Sequence, residues 1–222
     1  SARPSPPECG RGDVRPPAHA RQRVGYLLDH GADFIKLIAT GAVLAVGSVP
    51  GSLELTPQQM KAACDEAKLR GSYCIAHAHG AEGIKAAIPA GAPTIEHASY
   101  LDAEGIEMPK VAGVWLDMDV FNGSWIDEVG TREGWPAEYL RKNRETTDTQ
   151  RAGFAKAVKL GVPITYGTDA GVYPHGLNAR QFRYMVRFGM SPMQALASAT
   201  SEAAKALGHD ELGSVKPGHV AD

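Results

Sequence analysis

The sequence predicts an α/β protein built on a parallel sheet. Three observations predict it. Short apolar runs recur along the chain, and each is separated from the next by a stretch with helical periodicity. Glycine closes several of those stretches, at Gly71, Gly91, Gly113 and Gly208. Polar, chemically capable residues gather where the apolar runs end, which is the rim that carries the site in parallel folds. A length of 222 residues suits one domain or at most two small ones. With 43% apolar and 22% charged residues, neither full disorder nor a coiled coil fits.

The elements follow in order. Residues 1–22 hold Ser-Pro-Pro and Arg-Pro-Pro steps among arginines and almost nothing apolar, so they read as an extended or disordered segment. The folded domain is expected over 23–222. Its first strand is 34–38, followed by a glycine-rich loop over 41–51. A helix starts at Thr56, with Thr56 as cap, Pro57 at the first helical position and Gln59 reaching back. Met60, Ala63, Cys64 and Ala67 form its buried stripe. A second strand over 73–78, a helix over 81–90 and a third strand over 94–98 come next. Asp102 opens a helix that ends near Gly113, and 114–120 reads as the fourth strand. A polar loop holding Trp125 and Trp135 leads to a long helix over 136–160, which turns Phe154, Ala157 and Val158 inward. The fifth strand is 163–167. Two helices close the chain, over 178–188 and 192–207, the second capped by Ser191-Pro192 and stopped at Gly208. Five similar strand–helix units suggest a partial TIM-type (β/α) barrel, because closure needs about eight strands. Either the remaining strands are missing, or the sheet is open, or another chain supplies them.

Several function classes fall away. Lys and Arg total 23 against 25 Asp and Glu, a net charge of −2, so no footprint for nucleic acid or an anionic membrane is present. No apolar run reaches the roughly 18 residues of a membrane span, and none resembles a signal peptide, so a cytoplasmic protein is expected. Cys9, Cys64 and Cys74 are too few and scattered for a disulfide framework and read as buried thiols in a reducing compartment. Gly-x-Ser-x-Gly, P-loop and Gly-x-Gly-x-x-Gly patterns are absent.

Four strand ends deliver chemistry to one rim. Lys36 interrupts the first strand, the second ends in His77-Ala78-His79, the third in Glu96-His97, and the fifth in Gly167-Thr168-Asp169. Two imidazoles and a carboxylate suit zinc or a similar divalent ion. Each residue alone has a plainer reading. A strand-end histidine can simply be hydrogen-bonded, His79 can face solvent, Asp169 can cap a helix, and Lys36 can form an ion pair. The conjunction favours a site. Asp117 and Asp119 alternate onto one strand face, which reads as a solvated face before a carboxylate pair for glycoside chemistry.

The runs 31–41 (GADFIKLIATG), 76–84 (AHAHGAEGI), 94–100 (TIEHASY) and 166–171 (YGTDAG) resemble the amidohydrolase superfamily, in its imidazolonepropionase-like and Xaa-Pro dipeptidase (prolidase)-like branch. The resemblance implies a lysine carboxylated by carbon dioxide at Lys36, metal-binding histidines at His77 and His97, and an aspartate at Asp169 that binds metal and handles the proton of an attacking water. It implies one or two zinc or other divalent ions per chain. His175, Tyr100 and His79 are the candidate substrate contacts. Family members begin the barrel with a His-x-His on the first strand and continue past it into a small β-sandwich. Here the only His-x-His is at His77 and His79, and the sequence stops at Asp222, so the first strands and the sandwich are not represented. The expected function is a metal-dependent hydrolase of small amide, dipeptide or ester substrates, as a homo-oligomer. The competing expectation is an inactive barrel fragment that self-associates through its open edges.

Overall fold

The computed structural model describes residues 16–220. Helix α2 (Pro57–Leu69) shows how local sequence sets an element. The Thr56 hydroxyl accepts from Gln59 N, and the Gln59 side chain accepts from Thr56 N, so two otherwise orphaned N–H groups are satisfied at once. The same box, from Ser191 and Gln194, opens a later helix at Pro192.

In chain order the elements are α1 (Pro17–Asp29), β1 (Ile35–Ile38), α2, β2 (Cys74–Ala78), α3 (Ala81–Ala90), β3 (Thr94–His97), α4 (Ala103–Ala112), β4 (Trp115–Asp117), α5 (Asn122–Glu133), α6 (Ala137–Leu160), β5 (Ile164–Thr165), α7 (Arg180–Arg187), α8 (Pro192–Ser198) and α9 (Ser201–Ala206). The sheet has five strands in the order β1-β2-β3-β4-β5, with every pairing parallel. Sequential order with a helical connection between neighbours is the local topology of a (β/α) barrel wall.

Register divides the sheet into two kinds of row. Leu37, Ala76, Ile95, Leu116 and Ile164 align across all strands and are buried, in one core with Met60, Ile84, Ile106 and Phe154 from the helices. The next residues along each strand, Ile38, His77, Glu96, Asp117 and Thr165, align as a row on the opposite face. That row is mostly polar. Ile38 at its β1 end is 47% exposed.

Several expectations are corrected. Residues 17–22 were assigned to an extended segment but lie in α1, which starts with Pro17 at a position where a missing N–H costs nothing; residues 1–15 lie outside the described residues. The polar loop around Trp125 is helix α5, which buries Ile126 and Val129. The last helix is two, broken where Thr200 leaves helical geometry (φ −126°, ψ −97°). The fourth strand ends at Asp117 and not at Val120. Cys64 and Cys74 are not free thiols: a disulfide joins α2 to β2, with Cα atoms 5.4 Å apart. Cys9 lies outside the described residues. No described helix is long and apolar enough to cross a membrane.

Candidate metal centre

Three residues other than glycine have positive φ among those described, and all three stand at one rim of the sheet: His97 (68°), Ala98 (48°) and Asp169 (47°). Such backbone costs on the order of 1 kcal/mol or more per residue, so the surroundings must hold it. At β3 they do. Ala98 N donates to Ala78 O (3.1 Å), Tyr100 N donates to His79 O (2.8 Å), and Gln150 Nε2 donates to His97 O (3.0 Å). The turn swings the His97 side chain out of strand alternation and towards β2.

There it meets His77 and His79. Ring centroids lie 4.5 Å apart for His77–His97, 4.6 Å for His79–His97 and 4.8 Å for His77–His79. All three are buried, and one ring nitrogen of each falls within 4.8 Å of the others. Each ring also spends one nitrogen on the protein. His77 Nε2 donates to Gly41 O (3.3 Å), His79 Nδ1 pairs with Ser99 Oγ (2.8 Å), and His97 Nδ1 donates to Asp119 Oδ1 (3.0 Å). One nitrogen per ring is left for a ligand, the arrangement that orients imidazoles around a metal ion.

Charge states divide the three rings: His77 and His79 are held neutral, and His97 is held protonated. Burial, then the neighbouring His97, lowers the His77 pKa to about 4. The same two causes hold His79 well below its ordinary value. Burial opposes a charge on His97 most strongly, yet Asp119, Asp169 and Glu96 together outweigh it and hold the ring at about 9. Asp119, although buried, is kept below the usual carboxylate range by His97.

Asp119 is also part of a second cluster, with His97 and Asp169. Its carboxylate is already engaged: Oδ1 accepts from His97 Nδ1 and from Gln150 Nε2 (2.8 Å), and Oδ2 accepts from Asn122 Nδ2 (2.6 Å). It therefore supports His97 from behind. Asn122 Nδ2 also donates to Asp169 Oδ2 at 3.2 Å, tying the β5 rim to the β4 rim. Burial raises the Asp169 pKa. Lys36 Nζ lies 4.0 Å from Glu96 Oε2, with its side chain 45% exposed.

Lys36, His77, His79, His97 and Asp169, all singled out from the sequence, line one cavity of about 170 Å³. Two others do not line it. Tyr100 follows the β3 turn and His175 sits on an exposed turn. His79 does not face solvent but completes the imidazole cluster. Asp119 and Asp117 do not share a solvated strand face: β4 stops at Asp117, and the chain turns Asp119 inward to 8% exposure. Sequence reasoning missed Asp119, Asn122 and Gln150 as site residues. Only the Asp117-x-Asp119 spacing hinted at the first.

Comparisons with known proteins bear on the family and the fold. The amidohydrolase family model matches residues 15–222. Ochratoxinase from Aspergillus niger is 32% identical over 205 residues, covering 91% of this chain and 42% of that protein. A crystal structure of a Xaa-Pro dipeptidase with bound methionine superposes with a TM-score of 0.89 at 36% identity, covering 94% of this chain and 52% of that one. Imidazolonepropionase from Ruegeria pomeroyi is 27% identical over 190 residues, covering 83% and 42%. The chain thus spans about half the length of the relatives it matches. Motifs at four strand ends, a parallel sheet in barrel order and a family match across nearly all of the sequence lead to one conclusion: this chain belongs to the amidohydrolase family.

Proposed function

We propose that this centre hydrolyses an amide or peptide bond of a small molecule with the help of a divalent ion, zinc or similar. The observation that carries the reading is the convergence of three buried imidazoles, each with one nitrogen committed to the protein and one left over. His77 and His97 would hold the ion. Lys36 would join them only as its N-carboxylate, because an ammonium group offers no acceptor. An ion bound there supplies Lewis acidity towards a scissile carbonyl and a water of lowered pKa. Asp169 would take the water's proton on its carboxylate and return it to the leaving amine. Asp119 fixes the tautomer and direction of His97 by holding the proton on Nδ1. His79, which shares the cavity, would contact the substrate carbonyl; Tyr100 and His175 would act from the rim. Relatives named as a dipeptidase and an ochratoxinase support an amide or dipeptide substrate, and esters fit the same chemistry. The reading includes one or two ions per chain, and a self-associating chain whose β1 edge is unpaired in the sheet order.

Elemental analysis of the purified protein is expected to return at least about one divalent ion per chain, removable by chelator with loss of amide hydrolysis. His97→Ala should abolish that hydrolysis while circular dichroism stays unchanged. Full activity in the variant, or in metal-free protein, would sink the reading.

A further inference from the structure

Lys142 on α6 is the least expected buried residue among those described. Its side chain is 2% exposed, and Lys is almost never buried without compensation. Here the compensation is complete. Nζ donates to Ala45 O (2.6 Å), Ser48 O (3.0 Å) and Glu138 Oε1 (3.0 Å), which uses all three ammonium protons. Glu138 Oε1 in turn accepts from Gly47 N (2.9 Å). Two residues one turn apart on α6 thus grip the backbone of one loop at three points.

That loop runs from Thr40 to Leu53, the two residues that pair in an isolated bridge at its base. Short distance between its ends and a compact course make it an Ω-loop. Its sequence is unusual for an exposed connection, with Ala42-Val43-Leu44-Ala45-Val46 in succession. Val43 and Leu44 line the cavity of the candidate metal centre, as do Ile126 of α5 and Val172 of the β5–α7 connection. Lys36 is the one Lys or Arg among the described residues that line this cavity. A substituent lodged against these four side chains gains from being apolar and finds no arginine to pair a carboxylate.

We infer that Lys142 is a specificity-determining positioning residue: it fixes the 40–53 loop as the apolar wall of a subsite for a neutral, compact, aliphatic or aromatic group beside the scissile bond. This rests on the hydrolase reading above for the bond that is cut, but not for the wall itself. Lys142 is not itself among the residues that line the cavity, and its ammonium group reaches the loop and Glu138. It acts through the loop.

Three measurements test it on the whole chain. Hydrogen exchange should show residues 40–53 losing protection in Lys142→Met, with the rest of the protein unchanged. Initial rates on p-nitroanilides of acetic, butanoic and 4-methylpentanoic acids, and on N-alkyl acetamides of matching length, should favour the longer apolar group in one series or the other. In Lys142→Met that preference should shrink by about tenfold, carried by KM and not by kcat on the acetyl compound. Leu44→Asp keeps the lysine grip, guards against misfolding of the first variant, and should remove the preference as well. Unchanged protection in Lys142→Met, or a preference that survives in both variants, overturns the inference. If the wild type cuts no amide, the hydrolase reading fails separately. Saturation-transfer NMR with isovaleramide and acetamide then decides: contact of isovaleramide with wild type that is lost in both variants supports the wall, and equal contact in all three proteins overturns it.

Discussion

Asp119 sets the charge of His97, and that has a measurable consequence for metal binding. With its pKa held at about 9, His97 is protonated at neutral pH, and a metal ion must displace that proton. Apparent metal affinity is therefore expected to rise about tenfold per pH unit from pH 7 towards 9 and then level off. Asp119→Asn removes the main charge that opposes burial and leaves Asp169 and Glu96, so the slope over that interval should weaken. Calorimetric titration of metal-free protein at several pH values checks both outcomes. The same pair contributes to folding with a definite sign. His97 is raised above its unfolded value near 6.5, so its share of stability is full below about pH 6.5 and is lost as pH rises through about 9. At this scale the sequence was legible where a candidate ligand stands at or near a strand end, as His77 and His97 do, because strand ends meet at one rim whatever the connections between them. Asn122 and Gln150 were not legible. They reach Asp119 from helices, and only the packing of α5 and α6 against β4 brings them there.

In the sequence, Gly123 and Gly130 interrupt the pattern of α5 and few of its residues are apolar, so it reads as a polar loop. Both glycines have packing reasons. A Cβ on Gly123 would stand 2.1 Å from Thr147 Oγ1 of α6, and one on Gly130 would stand 2.9 Å from Leu140 Cδ2. The two helices are seated too closely for a side chain at Gly123, and one at Gly130 would have to displace the Leu140 side chain. Gly123→Ala should destabilise the protein by about 1–3 kcal/mol, read as a lower midpoint in urea, despite the better intrinsic propensity of alanine. The elements with capping boxes, α2 and α8, were readable from a few letters because their signals are local. The Cys64–Cys74 disulfide was not, because its residues meet only when α2 has folded back on β2. It closes a loop of 10 residues in sequence separation, and its removal is expected to cost about 2–3 kcal/mol. Thermal melts with and without reductant measure this; coincident melting curves would show that the cross-link contributes nothing.

Across the whole molecule, helices cover one face of the sheet and leave the other to the row from Ile38 to Thr165. The order β1-β2-β3-β4-β5 leaves β1 and β5 as edges of the sheet. Beside β1 stand Phe34, 42% exposed, and Tyr73, 36% exposed, with their rings stacked at 5.4 Å. Light scattering is expected to give a mass above that of one 23.5 kDa chain; a clean monomer at micromolar concentration would remove self-association from the reading. Barrel order and strand count were legible in the sequence because each unit repeats one local pattern. The closure of the polar face was not, since it depends on the loops that fold over the strand ends. Asp117 has a buried oxygen without a hydrogen-bond partner, and burial together with Glu96 and Asp119 pushes its pKa up to about 7. The row is already closed over at His77, Glu96 and Thr165, each below 10% exposed, and stands open at Ile38. The open end of the row is thus apolar, at Ile38 on β1, while its carboxyl groups sit closed inside the molecule, where an acceptor with no donor to meet favours the protonated acid.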